Sequence, residues 1–117
     1  MYQLTFSEQS LSEIDKLGKE EQLRLVSRIS ELANVAFKSK GAGIPSFRRN
    51  GKTYYRFKID ASRVYVEKVD GEMLFCHYIL PQHTLSDFLF RAKFPVSEEQ
   101  MVERHSSFWK YLESLKK

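Results

Sequence analysis

Between residues 39 and 45 the spacing of apolar side chains changes from three-and-four to two, and it stays at two as far as Pro81. Upstream, Leu25, Ile29, Leu32, Ala33 and Ala36 fall on one side of a helix expected from about Glu20 to Phe37, with Val26 at its margin. Arg24, Arg28 and Glu31 lie towards the other side. Downstream, Phe47 opens a short strand, and Thr53–Ile59, Arg63–Val69 and Met73–Leu80 follow as three more. Asn50-Gly51 and Asp70-Gly71 mark tight hairpin turns, because these residue types accept positive φ. Asp60-Ala61-Ser62 marks a third turn between them. A one-sided helix and half-buried strands satisfy each other by packing together.

The chain opens with Tyr2, Leu4 and Phe6 alternating with Gln3 and Thr5, which predicts a short first strand. Ser7 is placed to cap a helix carrying Leu11, Ile14 and Leu17 on its apolar side. Gly18 is expected to stop that helix in the left-handed conformation. So short a connection makes the two helices an antiparallel hairpin. The expected fold class is α+β, a helical hairpin on a small twisted antiparallel β-sheet in the order β-α-α-β-β-β-β, with additional C-terminal helices. Thr84 or Ser86 begins a short helix through Phe88, Leu89 and Arg91, and Pro95 breaks it. Ser97-Glu98-Glu99-Gln100 is a capped helix start. Ser107 to Lys116 is amphipathic, and Phe108, Trp109, Tyr111, Leu112 and Leu115 are expected to anchor the tail on the body.

At 117 residues the chain is the size of one domain. Its 42% hydrophobic content supports a core, while no apolar run approaches the length of a membrane-spanning helix. The first residues lack the pattern of a secretory signal. With the single cysteine Cys76, no intramolecular disulfide forms within the chain, and a reducing cytoplasm is the expected location. The net charge of +4 is unevenly spread. Residues 38–68 hold nine basic side chains against Asp60 and Glu67, and both flanks are slightly acidic. A concentrated positive field attracts polyanions. An ordinary solvated surface is the alternative.

Strand period sorts these side chains onto faces. Tyr55, Phe57, Ile59, Val64 and Val66 belong against the helices. The open face then carries Tyr54, Arg56, Lys58, Arg63, Tyr65 and Glu67, a cationic surface interleaved with rings of the kind that binds RNA. A solvated face with cross-strand charge pairs, such as Lys58 with Glu67, is the competing reading. His77 joins this face if Cys76 and Tyr78 turn to the core, although Met73, Phe75 and Ile79 share its parity. The histidines show no metal-ligand spacing, and neither a Gly-rich phosphate loop nor a nucleophile elbow occurs. No cofactor or metal is expected.

Taken in order, the opening strand with Ser7 and the helical hairpin, then Tyr55-Arg56-Phe57-Lys58-Ile59, then Ser62-Arg63-Val64-Tyr65, then Asp70-Gly71, resemble the RelE/ParE superfamily of bacterial toxin–antitoxin toxins. The two strand segments are similar to the family's pair "Y-R-h-r-h … y-R-h-h-Y", where h is apolar. The resemblance implies a toxin-like domain over 1–90, with 91–117 a C-terminal helical extension packed on the same domain. It implies a RelE-like, metal-independent mRNA endoribonuclease that acts on translating ribosomes and inhibits translation. Within the same superfamily the alternatives are a ParE-like non-enzymatic inhibitor of DNA gyrase and a detoxified RelE-fold binding protein. The partners implied are a cognate acidic antitoxin with mRNA and the ribosome, or gyrase, and no membrane.

The resemblance also assigns residues. Arg63 matches the arginine that stabilises phosphate charge, Arg56 the arginine of the preceding strand, and His83 the general acid or base that follows the last strand. Lys52, Tyr54, Lys58, Tyr65, Arg48, Arg49 and Phe88 are the expected RNA-binding residues. Ser86-Asp87-Phe88 is similar to the end of an "H-S-D-L-F" motif, with Leu85 at the place of its histidine. The added tail is expected to cover the active face, to stabilise the core, or to occupy the place of an antitoxin.

Overall fold

The computed structural model describes residues 3–38, 44–49, 51–81 and 106–114. Along the chain these form β1 (Gln3–Phe6), α1 (Glu8–Asp15), α2 (Lys19–Lys38), β2 (Ser46–Arg49), β3 (Lys52–Ile59), β4 (Ser62–Asp70), β5 (Met73–Pro81) and α3 (Ser106–Ser114). The sheet order is β1-β5-β4-β3-β2. Strands β2 to β5 form the expected antiparallel meander, while β1 joins the edge of β5 in parallel. Parallel neighbours need a long connection, and here it holds the helical hairpin and strands β2 to β4. Gly51 at φ 77° and Gly71 at φ 48° make the turns where left-handed backbone is needed. Asp60 makes the third at φ 54°, in a conformation Asp tolerates better than most residues.

The helical hairpin covers one sheet face. Leu25, Ile29 and Ala33 of α2 and Ile14 of α1 bury against Phe57, Ile59, Val64, Val66, Leu74, Cys76 and Ile79. Leu11, expected in that core, is instead 47% exposed. The side of α1 that meets the sheet carries Ser10 and Ile14, one helical turn apart, and Leu11 is rotated away from it. Gly18 does not take the left-handed conformation predicted for it. Helix α1 ends at Lys16 in right-handed geometry, and the Gln22 side chain donates to the carbonyls of Ile14 (3.0 Å) and Leu17 (3.1 Å). A side chain of the next helix thus takes over the capping work of the glycine.

On the other face α3 lies over the middle of the sheet. Phe108, Trp109 and Leu112 bury against Tyr65, Tyr78 and Leu80, with Phe47 and Tyr111 at the margin. The aromatic tail therefore anchors as its amphipathic pattern predicts, and Leu115 lies outside the described residues. The capped segments predicted between residues 84 and 100 also lie outside them. None of the described helices is long and apolar enough to cross a membrane.

Candidate nucleic-acid interface

The candidate face is arranged by an irregularity in β5. Tyr65 pairs with Tyr78 but Val66 pairs with Cys76, so His77 is an extra residue on β5. The bulge switches the parity of the strand. Before it, Leu74 and Cys76 face the helical hairpin; after it, Ile79 does, and Tyr78 and Leu80 turn to α3. His77 is thereby freed from the parity of Ile79 and shares a face with Glu67 and Tyr54. The backbone of the bulge is held from the first helix. Ser7 donates its hydroxyl to the His77 carbonyl at 2.6 Å, and Gln9 makes two hydrogen bonds with the backbone of Ile79.

His77 Nε2 lies 2.9 Å from Glu67 Oε1, and the two side chains are 17% and 16% exposed. Tyr54 stands directly opposite Glu67 in the β3–β4 ladder. Its ring meets the imidazole edge to face at 4.8 Å, and Phe75 does the same at 4.5 Å. The Glu67–His77 pair stands where the competing solvated-face reading had Lys58 with Glu67. The register instead sets Lys58 opposite Arg63 and Glu67 opposite Tyr54.

Much of the face expected to be open is covered. Tyr65 is fully buried and Tyr54 is buried, because Trp109 of α3 packs on both rings, and Arg63 is 3% exposed. Arg63 Nη1 donates towards Tyr65 Oη at 3.5 Å, the long limit of a hydrogen bond. The cations offered to solvent lie around this cover. Lys52 and Lys58 are exposed at the two ends of β3, and Arg56 between them is half-buried. Lys52, Tyr54, Arg56 and Lys58 share the α3 side of the sheet by strand alternation. Arg48 is exposed on β2 and donates to the Gly51 carbonyl at 3.4 Å. Arg49 stands opposite Lys52 in the ladder. His83 and Phe88 lie outside the described residues.

The structure thus brings Lys52, Tyr54, Arg56 and Lys58 to one face, leaves Tyr65 beneath a helix and buries Arg63. Glu67 and His77 were not among the residues singled out for chemistry, and their contact is visible only once the bulge is known. The signal in the sequence was the unresolved parity of β5, with Cys76 and Ile79 both demanding the core. Cys76 itself offers no nucleophile, since burial pushes its thiol up from 9.0 to about 12. Among the described residues, no group of three or more His, Cys, Asp or Glu side chains is placed to hold a metal ion. No protein-family model, curated protein or solved structure matches this chain.

Proposed function

We propose that the chain is a RelE-like endoribonuclease that cuts mRNA on translating ribosomes, with an acidic antitoxin as its partner. The observation that carries this reading is the row Lys52, Tyr54, Arg56 and Lys58 along one face of β3, beside the Glu67–His77 contact. Lys52, Arg56 and Lys58 on one strand face give cations that track a phosphate chain. The reaction is attack of a ribose 2′-hydroxyl on the adjacent phosphate. It needs a proton acceptor, cations where charge grows on phosphorus, and a proton for the leaving oxygen. In this reading Lys52 and Lys58 hold the flanking phosphates and Arg56 offsets the developing charge. Arg63 acts beneath the surface as support for the face.

The test is a cell-free translation reaction in which new mRNA 5′ ends are mapped. Codon-phased cuts that require ribosomes are expected, and the Lys52→Glu, Lys58→Glu variant should lose them while remaining folded. Each lysine that contacts phosphate should also contribute a slope of about −0.7 to the salt dependence of single-stranded RNA binding. Intact mRNA and undisturbed translation would overturn the reading and direct attention to gyrase supercoiling. A second reading is favoured by the burial of this face: because Phe108, Trp109 and Leu112 pack on Tyr65 and Arg63 is itself buried, the chain is a detoxified RelE-fold binding protein. RNA bound with ordinary affinity and never cut would select it.

A further inference from the structure

We infer that the cleft between the helical hairpin and the β3–β4 turn binds a small organic amine, a primary ammonium carried on an apolar body. The cleft has a volume of about 490 Å³ and lies where the end of α1 and the start of α2 meet that turn and the end of β5. Sites for small molecules run from roughly 300 to 1,000 Å³ and combine an apolar lining with a few placed polar groups. Leu17, Leu25, Ile59 and Ile79 supply an apolar floor here, and Ala61 and Pro81 extend it at the turn and the strand end. The floor belongs to the helical-hairpin side of the sheet, whereas Lys52, Arg56 and Lys58 lie on the α3 side. The cleft is therefore separate from the proposed RNA face, and the inference holds whether or not the chain cuts RNA.

Charge at the rim selects the ligand. Both cations of the lining are already engaged: Lys16 Nζ lies 3.0 Å from Glu13 Oε2, and Arg24 Nη2 lies 2.6 Å from Asp60 Oδ1. The second pair joins α2 to the turn, so it also ties the two walls together. An anionic ligand would have to break one of these pairs and then face the carboxylate left behind. Glu21, on α2, is the third acid of the lining, which is thus net negative in a chain of charge +4. Glu21 and Ser62 are the polar side chains of this lining that no hydrogen bond or ion pair engages. Both accept hydrogen bonds, and they stand on opposite walls, one on α2 and one at the turn. An ammonium carries three donors and no acceptor, so one group serves both while the apolar body covers the floor.

The experiment follows the amide NMR spectrum of the isotope-labelled full chain at neutral pH as phenethylamine is added. Phenethyl alcohol and hydrocinnamate, which carry the same ring and chain with a neutral or an anionic end, are the comparison probes. Phenethylamine should give saturable shifts confined to Leu17, Leu25, Ala61, Ser62 and their neighbours, with a dissociation constant on the order of 1 mM, the strength a ligand of this size supports. Hydrocinnamate should bind about 10-fold or more weakly, because it meets the Glu21 carboxylate with like charge. Phenethyl alcohol should fall between the two. Glu21 is exposed, so Glu21→Gln should leave the fold intact, weaken the amine about 5-fold and narrow its advantage over hydrocinnamate. Ala61→Phe adds a ring to the lining and should abolish the shifts; if circular dichroism shows it unfolded, Glu21→Gln decides alone. An amine that binds no more tightly than either comparison probe would overturn the inference. So would undiminished affinity in Glu21→Gln, shifts centred on Lys52–Lys58 instead of the cleft, or a spectrum unchanged by the amine far above the expected dissociation constant.

Discussion

The carboxamide of Gln9 pairs with the backbone of Ile79 as a neighbouring strand would. Its Nε2 donates to the Ile79 carbonyl at 2.8 Å, and its Oε1 accepts from the Ile79 amide at 2.9 Å. Strand β1 ends at Phe6, opposite Cys76, so among the described residues no strand lies beside the edge of β5 beyond that point. Ser7 and Ser10 cover the adjoining carbonyls of His77 and Cys76 at 2.6 and 3.1 Å. The first turn of α1 therefore continues the ladder with side chains, and buried backbone groups are satisfied as burial requires.

Gln9→Ala should lower stability by about 2–4 kcal/mol, because two buried backbone groups of Ile79 lose their partners together. Urea denaturation measures the loss, and hydrogen exchange at the Ile79 amide locates it. Gln9→Glu should do further harm, since a carboxylate cannot donate to the Ile79 carbonyl. A loss below 0.5 kcal/mol in Gln9→Ala, a threshold set at about the low end for a single hydrogen bond, would mean that water replaces the side chain.

Helix α3 is core rather than cover. Burying a side chain of the size of Phe108 or Leu112 contributes about 1.5–3 kcal/mol, so the helix carries a share comparable to the stability of a small domain. Phe108→Ala should cost about 3–5 kcal/mol. Trp109 is the only tryptophan and is buried, so its fluorescence reports the helix directly. Its emission should shift to the red in the same transition in which far-ultraviolet circular dichroism is lost. A fluorescence change well before that loss would show α3 detaching on its own.

Arg63 should behave as a structural residue. It is 3% exposed, so Arg63→Ala removes a packed side chain and its hydrogen bonding at once. The expected loss is about 2–4 kcal/mol, smaller for Arg63→Lys. RNA affinity, measured well below the melting temperature, should fall less than in the Lys52→Glu, Lys58→Glu variant. The reverse order would place Arg63 in contact with nucleic acid.

Cys76 supplies a pH test. Its thiol ionises at about 12 in the folded protein against an ordinary 9.0, because burial disfavours the thiolate more than the Ser10 contact favours it. The folded pKa is raised, so the contribution to stability is complete below pH 9 and is lost as pH rises from 9 towards 12. The slope in that window approaches ~1.4 kcal/mol per pH unit. Cys76→Ala should flatten that part of the stability profile. A thiol reagent at pH 8 should label the native protein only through unfolding, at a rate that follows urea concentration. Rapid labelling of the native protein would show that the residue is reached without unfolding.

The helical hairpin and the antiparallel meander were legible because their causes are local. The stripe Leu25, Ile29 and Ala33 needs only the helical period, and the turns at Gly51 and Gly71 need only residues that accept positive φ. The apolar face of β3 and β4 was equally legible, since Phe57, Ile59, Val64 and Val66 obey an uninterrupted alternation. The candidate site was not legible in this way. Alternation cannot show where an extra residue enters a strand, and the bulge at His77 reverses the face of everything after it. On the other edge of β5, Ser7 and Gln9, about 70 positions earlier, take up the backbone groups of His77 and Ile79 that lie beyond the end of β1. Nor does a local pattern say which surface an amphipathic tail will cover. Phe108, Trp109 and Leu112 announce a helix that must bury one side, but only the assembled sheet presents Tyr65, Tyr78 and Leu80 as the surface to bury it against. Periodicity and turn chemistry act over a few residues and are written in the chain. The Glu67–His77 contact and the burial of Arg63 depend on register between distant segments, which only packing decides.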